Sequence, residues 1–213
     1  MRAMAVVTGF LALFALPGCT ASSVDTPPAP PPRDTADARE RSDLVPPRRG
    51  TLRQEEVTLS LRSGPLLVKA TPLEESVIRL LAPDTYDRLH ALAQSQRSLA
   101  RPERELFLVS FFSYEPNVPF TPEDLQIVHR GQILRAVAVQ PVTSGFGRQR
   151  LQQQETQSAV YAFEESINYD LPIVVRYGLQ EAGDWLSILQ RLERERSRVR
   201  ARGRHPDGMT SEL

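Results

Sequence analysis

The stretch from Glu105 to Tyr114, ELFLVSFFSY, is nearly continuous in apolar and aromatic side chains. A strand sends successive side chains to opposite faces, so a strand of this composition must be covered on both sides. The chain therefore has to supply further strands beside this one and packing layers on either side of it. That requirement narrows the fold to a layered, mainly β domain.

The flanking sequence provides such strands. EVTLSLR alternates Val57, Leu59 and Leu61 with polar residues, the period-two signature of a half-buried strand, and GPLLVKA follows across Ser63-Gly64 to complete a hairpin. DLQIVH and QILRAVAV meet at Arg130-Gly131, where glycine supplies the positive φ of a tight turn. AVYAF from Ala159 and PIVVRY from Pro172 flank the loop EESINYDL. Roughly seven strands with turn signals at this spacing predict an antiparallel β-sandwich over residues 51–183.

Helical patterns interrupt and close that body. Thr71-Pro72-Leu73-Glu74 matches a capping box with proline at the first helical position, and Leu73, Val77, Leu80 and Leu81 share one face. Pro83 and Asp84 restart a second helix with Tyr86, Leu89, Leu92 and Ala93 on its apolar side, giving a helical insert over 72–100. Asp184 can cap a last helix, within a 184–213 segment rich in arginine. Trp185, Ile188, Leu189 and Leu192 face the body, and beyond Leu192 only Val199 continues the stripe, so its later turns are expected to be solvated.

The order of a long aromatic strand, a hairpin, the Gly-aromatic bend TSGFG, then VYAF and IVVRYG resembles the immunoglobulin-like domains of bacterial extracytoplasmic proteins. The resemblance spans roughly residues 105–178 and implies an immunoglobulin-like sandwich; it carries no function of its own.

The amino-terminal segment reads as an address. Arg2 is followed by an apolar run from Ala3 to Leu16 that stops at Pro17 and Gly18, shorter than the roughly 18 to 20 apolar residues a membrane-spanning helix needs. Leu16-Pro17-Gly18-Cys19 resembles the lipobox of bacterial lipoproteins. The resemblance implies that residues 1–18 are a signal peptide cut between Gly18 and Cys19, and that the Cys19 thiol carries diacylglycerol. Acylation of the new Cys19 amino group would then follow. Thr20, a residue other than Asp after the cysteine, implies sorting to the outer membrane, facing the periplasm or the cell surface. An ordinary secretory cut near Ala21 is the alternative. Residues 19–50 continue as a proline-rich stretch with almost no large apolar side chains, which cannot bury enough surface to offset its ordering entropy and is expected to act as a disordered tether. Cys19 is the only cysteine, so with its thiol in a thioether the body offers no disulfide or thiolate chemistry.

The formal charge is balanced, 26 basic against 26 acidic residues, which gives no polyelectrolyte character suited to nucleic acid. Lys69 is the only lysine among the basic residues, and the arginine bias reads as compositional. Phosphate-loop, nucleophile-elbow and zinc-helix motifs are absent from the sequence. His90, His129 and His205 do not share ligand spacing, and the pairs Glu74-Glu75, Glu123-Asp124 and Glu164-Glu165 are sequence neighbours that a strand would point apart. Asp170 and Glu165 border a loop without a dense ligand pattern, so no metal and no cofactor is expected.

Recognition is expected from aromatic residues placed in loops, Tyr114, Phe120, Phe146 and Tyr169, the alternative being that these rings plug the ends of the sandwich. The arginines from Arg191 to Arg204 are a second candidate, for anionic lipid or polysaccharide, against a solvated, salt-bridged helix face. The sequence thus leads to a lipid-anchored, non-catalytic envelope protein that binds or assists another envelope protein. A glycan- or lipid-binding surface module is the alternative, and an unrecognised hydrolase a third. Replacing the thiol tests the anchor: Cys19→Ser is expected to leave the precursor uncut and without lipid mass by intact-protein mass spectrometry, and normal maturation of the variant would remove the assignment.

Overall fold

A computed structural model describes residues 48–99 and 104–204 of the chain. The expected signal peptide, Gly18, Cys19, most of the expected tether and His205 lie outside the described residues. The strands are β1 (Leu59–Ser63), β2 (Leu66–Pro72), β3 (Glu105–Ser113), β4 (Val118–Pro119), β5 (Leu125–His129), β6 (Gln132–Arg135), β7 (Ala138–Pro141), β8 (Arg150–Leu151), β9 (Thr156–Phe163), β10 (Ile173–Tyr177) and β11 (Gln180–Ala182). The helices are α1 (Glu75–Ile78), α2 (Pro83–Leu99) and α3 (Trp185–Arg204). The body is mainly β, with a five-stranded sheet in the order β1-β2-β3-β9-β7, a four-stranded sheet in the order β11-β10-β5-β6, and a short β4-β8 ribbon. Every strand pairing is antiparallel, as a β-sandwich requires.

Strand β3 sits at the centre of the larger sheet, between β2 and β9. Phe107, Val109 and Phe111 point inward and are fully buried. Phe111 stacks on Phe120 at 4.6 Å and meets Tyr177 of β10 edge-on at 5.6 Å, while Phe107 meets Phe163 at 5.7 Å. Leu106 and Leu108 point outward and are also buried. The end of α2 reaches over that half of the outer face: Gln96 shares a cavity of about 70 Å³ with Leu106, Val160 and Ala162. Double-sided burial thus holds for the first half of β3, whereas Ser110 and Phe112 emerge from under the helix.

Several boundaries differ from the sequence reading, each for an identifiable reason. Residues Gln54–Val57 form a 3-10 turn, and β1 begins only at Leu59. Thr71 and Pro72 remain in strand β2, paired with Leu108 and Phe107, so the Thr71 hydroxyl bonds Thr58 rather than capping a helix. QILRAVAV divides into β6 in the smaller sheet and β7 in the larger one. Arg130 and Gly131 adopt φ of 52° and 75°, the left-handed pair expected of a two-residue hairpin turn.

The carboxy-terminal helix is the largest departure. It does not fray after Leu192: Glu195, Arg196 and Val199 are all buried. Glu195 Oε1 accepts hydrogen bonds from the Thr51 backbone N–H and hydroxyl, both at 3.0 Å, and from Arg202 at 3.0 Å, while Arg198 lies 3.4 Å from Oε2. Arg191 donates to the Glu56 carbonyl, and the Trp185 indole donates to the Tyr169 carbonyl. Apolar periodicity could not show this docking, because the stripe continues through a charged pair rather than a hydrophobic one. Residues 50–52 form an amino-terminal strap that lies against the segment leaving α1, so close that a Cβ on Gly50 would lie 1.9 Å from the Leu80 carbonyl oxygen. Glu195→Ala leaves the Thr51 N–H and hydroxyl without their acceptor, whereas the exposed Arg198 and Arg202 remain solvated, so a loss of about 2 kcal/mol is expected; urea unfolding followed by tryptophan fluorescence measures it.

Candidate functional site

The antiparallel register builds a polar surface where the outer face of the five-stranded sheet leaves the cover of α2. Ser60, Lys69, Ser110 and Ser158 are successive cross-strand partners on β1, β2, β3 and β9. The next outward row is Arg62, Leu67, Phe112 and Thr156. Because side chains alternate along a strand, both rows face away from the core formed by Leu59, Leu61, Val68, Val109 and Ala159. All of these outward residues except Ser158 and Arg62 line, together with the 3-10 turn, a groove of about 380 Å³ that also takes in Gln54, Thr58 and Tyr114.

Hydrogen bonding leaves this groove partly engaged and partly open. Thr58 donates to the Gln54 carbonyl at 2.7 Å, and its Oγ1 lies 2.7 Å from that of Thr71. The Gln54 amide in turn donates to Thr71, while Gln54 Oε1 accepts from Arg88 of α2, so this rim is fixed. Ser110 and Ser158 share one hydrogen bond at 2.8 Å, which consumes one of their two hydroxyl protons and leaves the other for a third group. Lys69 is half-buried and makes no hydrogen bond or ion pair among the described residues. Tyr114 is 50% exposed, stands edge-on to Phe112 at 4.6 Å, and has the Arg62 guanidinium 5.4 Å from its ring centroid.

Of the aromatic residues expected to recognise a partner, Tyr114 alone lies at the surface, where it lines the groove. Phe120, Phe146 and Tyr169 are buried, which corrects their assignment to exposed loops. Phe120 and Phe146 close the end of the sandwich around Phe111, 5.4 Å from each other. The Tyr169 hydroxyl donates to the buried carboxylate of Glu105 at 3.1 Å. The arginine-rich helix likewise turns several of its charges toward protein groups: Arg196 is buried and bonds Asp170 and Glu193, and Arg191, Arg198 and Arg202 are engaged as described above.

The histidines and carboxylates have other placements. Glu75 of α1 accepts a hydrogen bond from the Tyr86 hydroxyl at 2.8 Å and lies 3.1 Å from His90 Nδ1 on α2, with Arg79 3.4 Å away. Burial, and then the bond to Glu75, raise the Tyr86 pKa, which suits a tyrosine serving as a neutral donor between two helices. Glu74 lies 3.7 Å from Arg97, and Glu164 lies 3.5 Å from Arg104. Glu123 and Asp124 are exposed in a 3-10 turn. Among the described residues no group of three or more His, Cys, Asp or Glu is placed to hold a metal ion. None of the described helices is long and apolar enough to cross a membrane.

The sequence reading missed the groove, although its signal was present: the polar positions of the alternating strands are Ser60, Lys69, Ser110 and Ser158. What sequence lacks is the register that aligns them across four strands. No protein-family model matches the chain, and neither does any curated protein or solved structure.

His129, on β5 of the four-stranded sheet, serves the fold instead. Its Nδ1 lies 3.2 Å from the Pro172 carbonyl and its Nε2 accepts the Asn168 N–H at 3.2 Å, an arrangement that suits the neutral ring with its proton on Nδ1. Burial depresses its pKa below the ordinary 6.5, against the opposing bond to Pro172. A depressed folded-state pKa means that the unfolded chain binds more protons as pH falls. Stability from His129 is therefore complete above pH 6.5 and is lost as pH falls toward the folded-state pKa. His129→Gln is expected to flatten that limb in urea titrations across this range; an unchanged slope would contradict the assignment.

Proposed function

We propose that the chain is a lipid-anchored, non-catalytic protein of the bacterial envelope that binds or assists another envelope protein. The lipobox residues Leu16 to Cys19 and the proline-rich spacer support the anchor, with the outer membrane, facing the periplasm or the cell surface, as its location. One structural observation carries the protein-partner reading. Strands β6 and β7 are consecutive in the chain, and each is the terminal strand of its sheet. Along that edge Ile133, Val137 and Val142 are about half exposed, at 51%, 48% and 47%.

An edge strand presents unpaired backbone N–H and C=O groups, and exposed branched side chains beside it offer apolar area to a partner strand. The Val137 and Val142 N–H groups are already bonded to β9, so the alternating groups between them face outward. Burying the exposed half of each of the three side chains contributes on the order of 1 kcal/mol apiece. Within this proposal the body is a distant immunoglobulin-like sandwich; its antiparallel pairing and the crossing of β6–β7 from one sheet to the other support that reading.

A second reading, a module for glycan or lipid, is favoured by the groove around Lys69 and is compatible with the first because the two surfaces use different residues. Photo-crosslinking in living cells from positions 133 and 137 is expected to capture one discrete envelope protein, and Ile133→Lys with Val137→Lys to abolish the adduct. Purification from membranes as a monodisperse single species, with no adduct from either position, would remove the protein-partner reading.

A further inference from the structure

We propose that the groove around Lys69 is a binding site for an anionic saccharide, a sugar ring bearing a carboxylate or phosphate. Three features of its lining converge on that chemistry. The first is Lys69 itself. It is the only lysine in a chain whose other basic residues are all arginine, and its ammonium has three donors with no partner among the described residues. A half-buried ammonium that makes no ion pair, even with the Glu55 carboxylate of the same groove, attracts an anion more strongly than a fully solvated one does. The Arg62 guanidinium in the adjoining row adds a second positive charge at the Tyr114 end.

The second feature is the density of hydroxyl and amide groups at fixed positions. Ser60 and Ser110 line the groove in one row with Lys69, the Ser110 hydroxyl held by Ser158 behind it, and the Thr58–Thr71–Gln54 network closes one side. Groups held by a sheet and by one another lose little freedom on binding, which favours a polyhydroxylated ligand whose affinity comes from several modest hydrogen bonds. Glu55, which also lines the groove, supplies an acceptor for ring hydroxyls.

The third feature is the wall formed by Phe112 and the half-exposed Tyr114. A sugar ring has one face of C–H groups, and an aromatic side chain that offers rigid area at low entropy cost can pack against it. The volume of about 380 Å³ accommodates a small ligand and lies within the range of ordinary ligand clefts. A neutral sugar would leave Lys69 unpaired, and a simple anion would leave the hydroxyl row and the ring unused. The site therefore selects for both properties in one molecule.

The test uses the full-length chain in detergent micelles and does not depend on the protein-partner reading, because Ile133 and Val137 lie outside the groove. With one lysine in the sequence, acylation of its side chain by an amine-reactive reagent is read from a single peptide by mass spectrometry. N-acetylmuramic acid represents a carboxylated cell-wall source, N-acetylglucosamine 6-phosphate a phosphorylated lipopolysaccharide-type source, and N-acetylglucosamine the neutral counterpart; none of the three carries a free amine that would consume the reagent. At least one anionic sugar is expected to protect Lys69 and to bind by calorimetry about ten-fold or more tightly than the neutral one. Which of the two succeeds identifies the source.

Lys69→Gln, a half-exposed substitution expected to fold normally by circular dichroism, should abolish that preference, and Lys69→Arg should retain part of it. Tyr114→Ala should weaken the anionic and neutral sugars alike. Equal affinity for charged and neutral sugars, an unchanged preference in Lys69→Gln, or no protection by either anionic sugar at millimolar concentration would each overturn the proposal.

Discussion

The architecture depends on covering strand β3. Its inward residues Phe107, Val109 and Phe111 need a second sheet, and its outward residues Leu106 and Leu108 need a further layer beyond the first. The four-stranded sheet answers the first need, bringing Leu125, Ile127, Ile173 and Val175 against that face, with Tyr177 closing on Phe111. Helix α2 answers the second need over part of the outer face. A fully buried aromatic side chain contributes roughly 1.5 to 3 kcal/mol, so the row of β3 rings is where much of the driving force for this arrangement resides.

The polar groove follows from the limits of that cover. Where α2 lies over the sheet, the outward residues are Leu106, Leu108, Val160 and Ala162; where it does not, they become Ser110, Phe112, Thr156 and Ser158. One strand therefore changes from apolar to polar on the same face within four residues, and Lys69 sits at the transition. The bond from Arg88 of α2 to Gln54 ties the helix to the turn that forms the groove wall. The fold thus builds its surface site with the same elements that complete its core.

How far the sequence could be read depended on the range of the interaction concerned. Alternation in β1, the aromatic density of β3 and the hairpin at Arg130-Gly131 are local patterns, and they placed the strands and the β-rich class. The split of QILRAVAV between two sheets was hidden, because both halves alternate equally well and only their partners differ. Phe120, Phe146 and Tyr169 read as loop residues, and they do lie outside the long strands; their burial comes from Phe111, Glu105 and Trp185, each on another element whose approach no local pattern shows. The later turns of α3 were hidden for the opposite reason. Glu195 is a charged residue whose burial becomes tolerable only when Thr51, more than a hundred residues away, supplies its hydrogen bonds.

That long-range bond also bears on how a tethered domain would work. The described body begins beside the strap that Glu195 holds, so a pull on the segment preceding residue 48 is transmitted to α3 through Thr51 and to α1 through the Gly50 N–H bonded to the Arg79 carbonyl at 2.9 Å. Neither attachment lies in β6 or β7, but the chain runs from Thr51 within three residues into Gln54 and Glu55 of the groove wall. Under the proposed anchor at Cys19, the roughly thirty residues leading to Gly50 span at most on the order of 100 Å when fully extended. Tension within that reach would load α1 and α3 first and, through the residues that follow Thr51, the turn that walls the groove. A load on the proposed anchor therefore bears more directly on the groove than on the β6–β7 edge, whose strands follow much later in the chain.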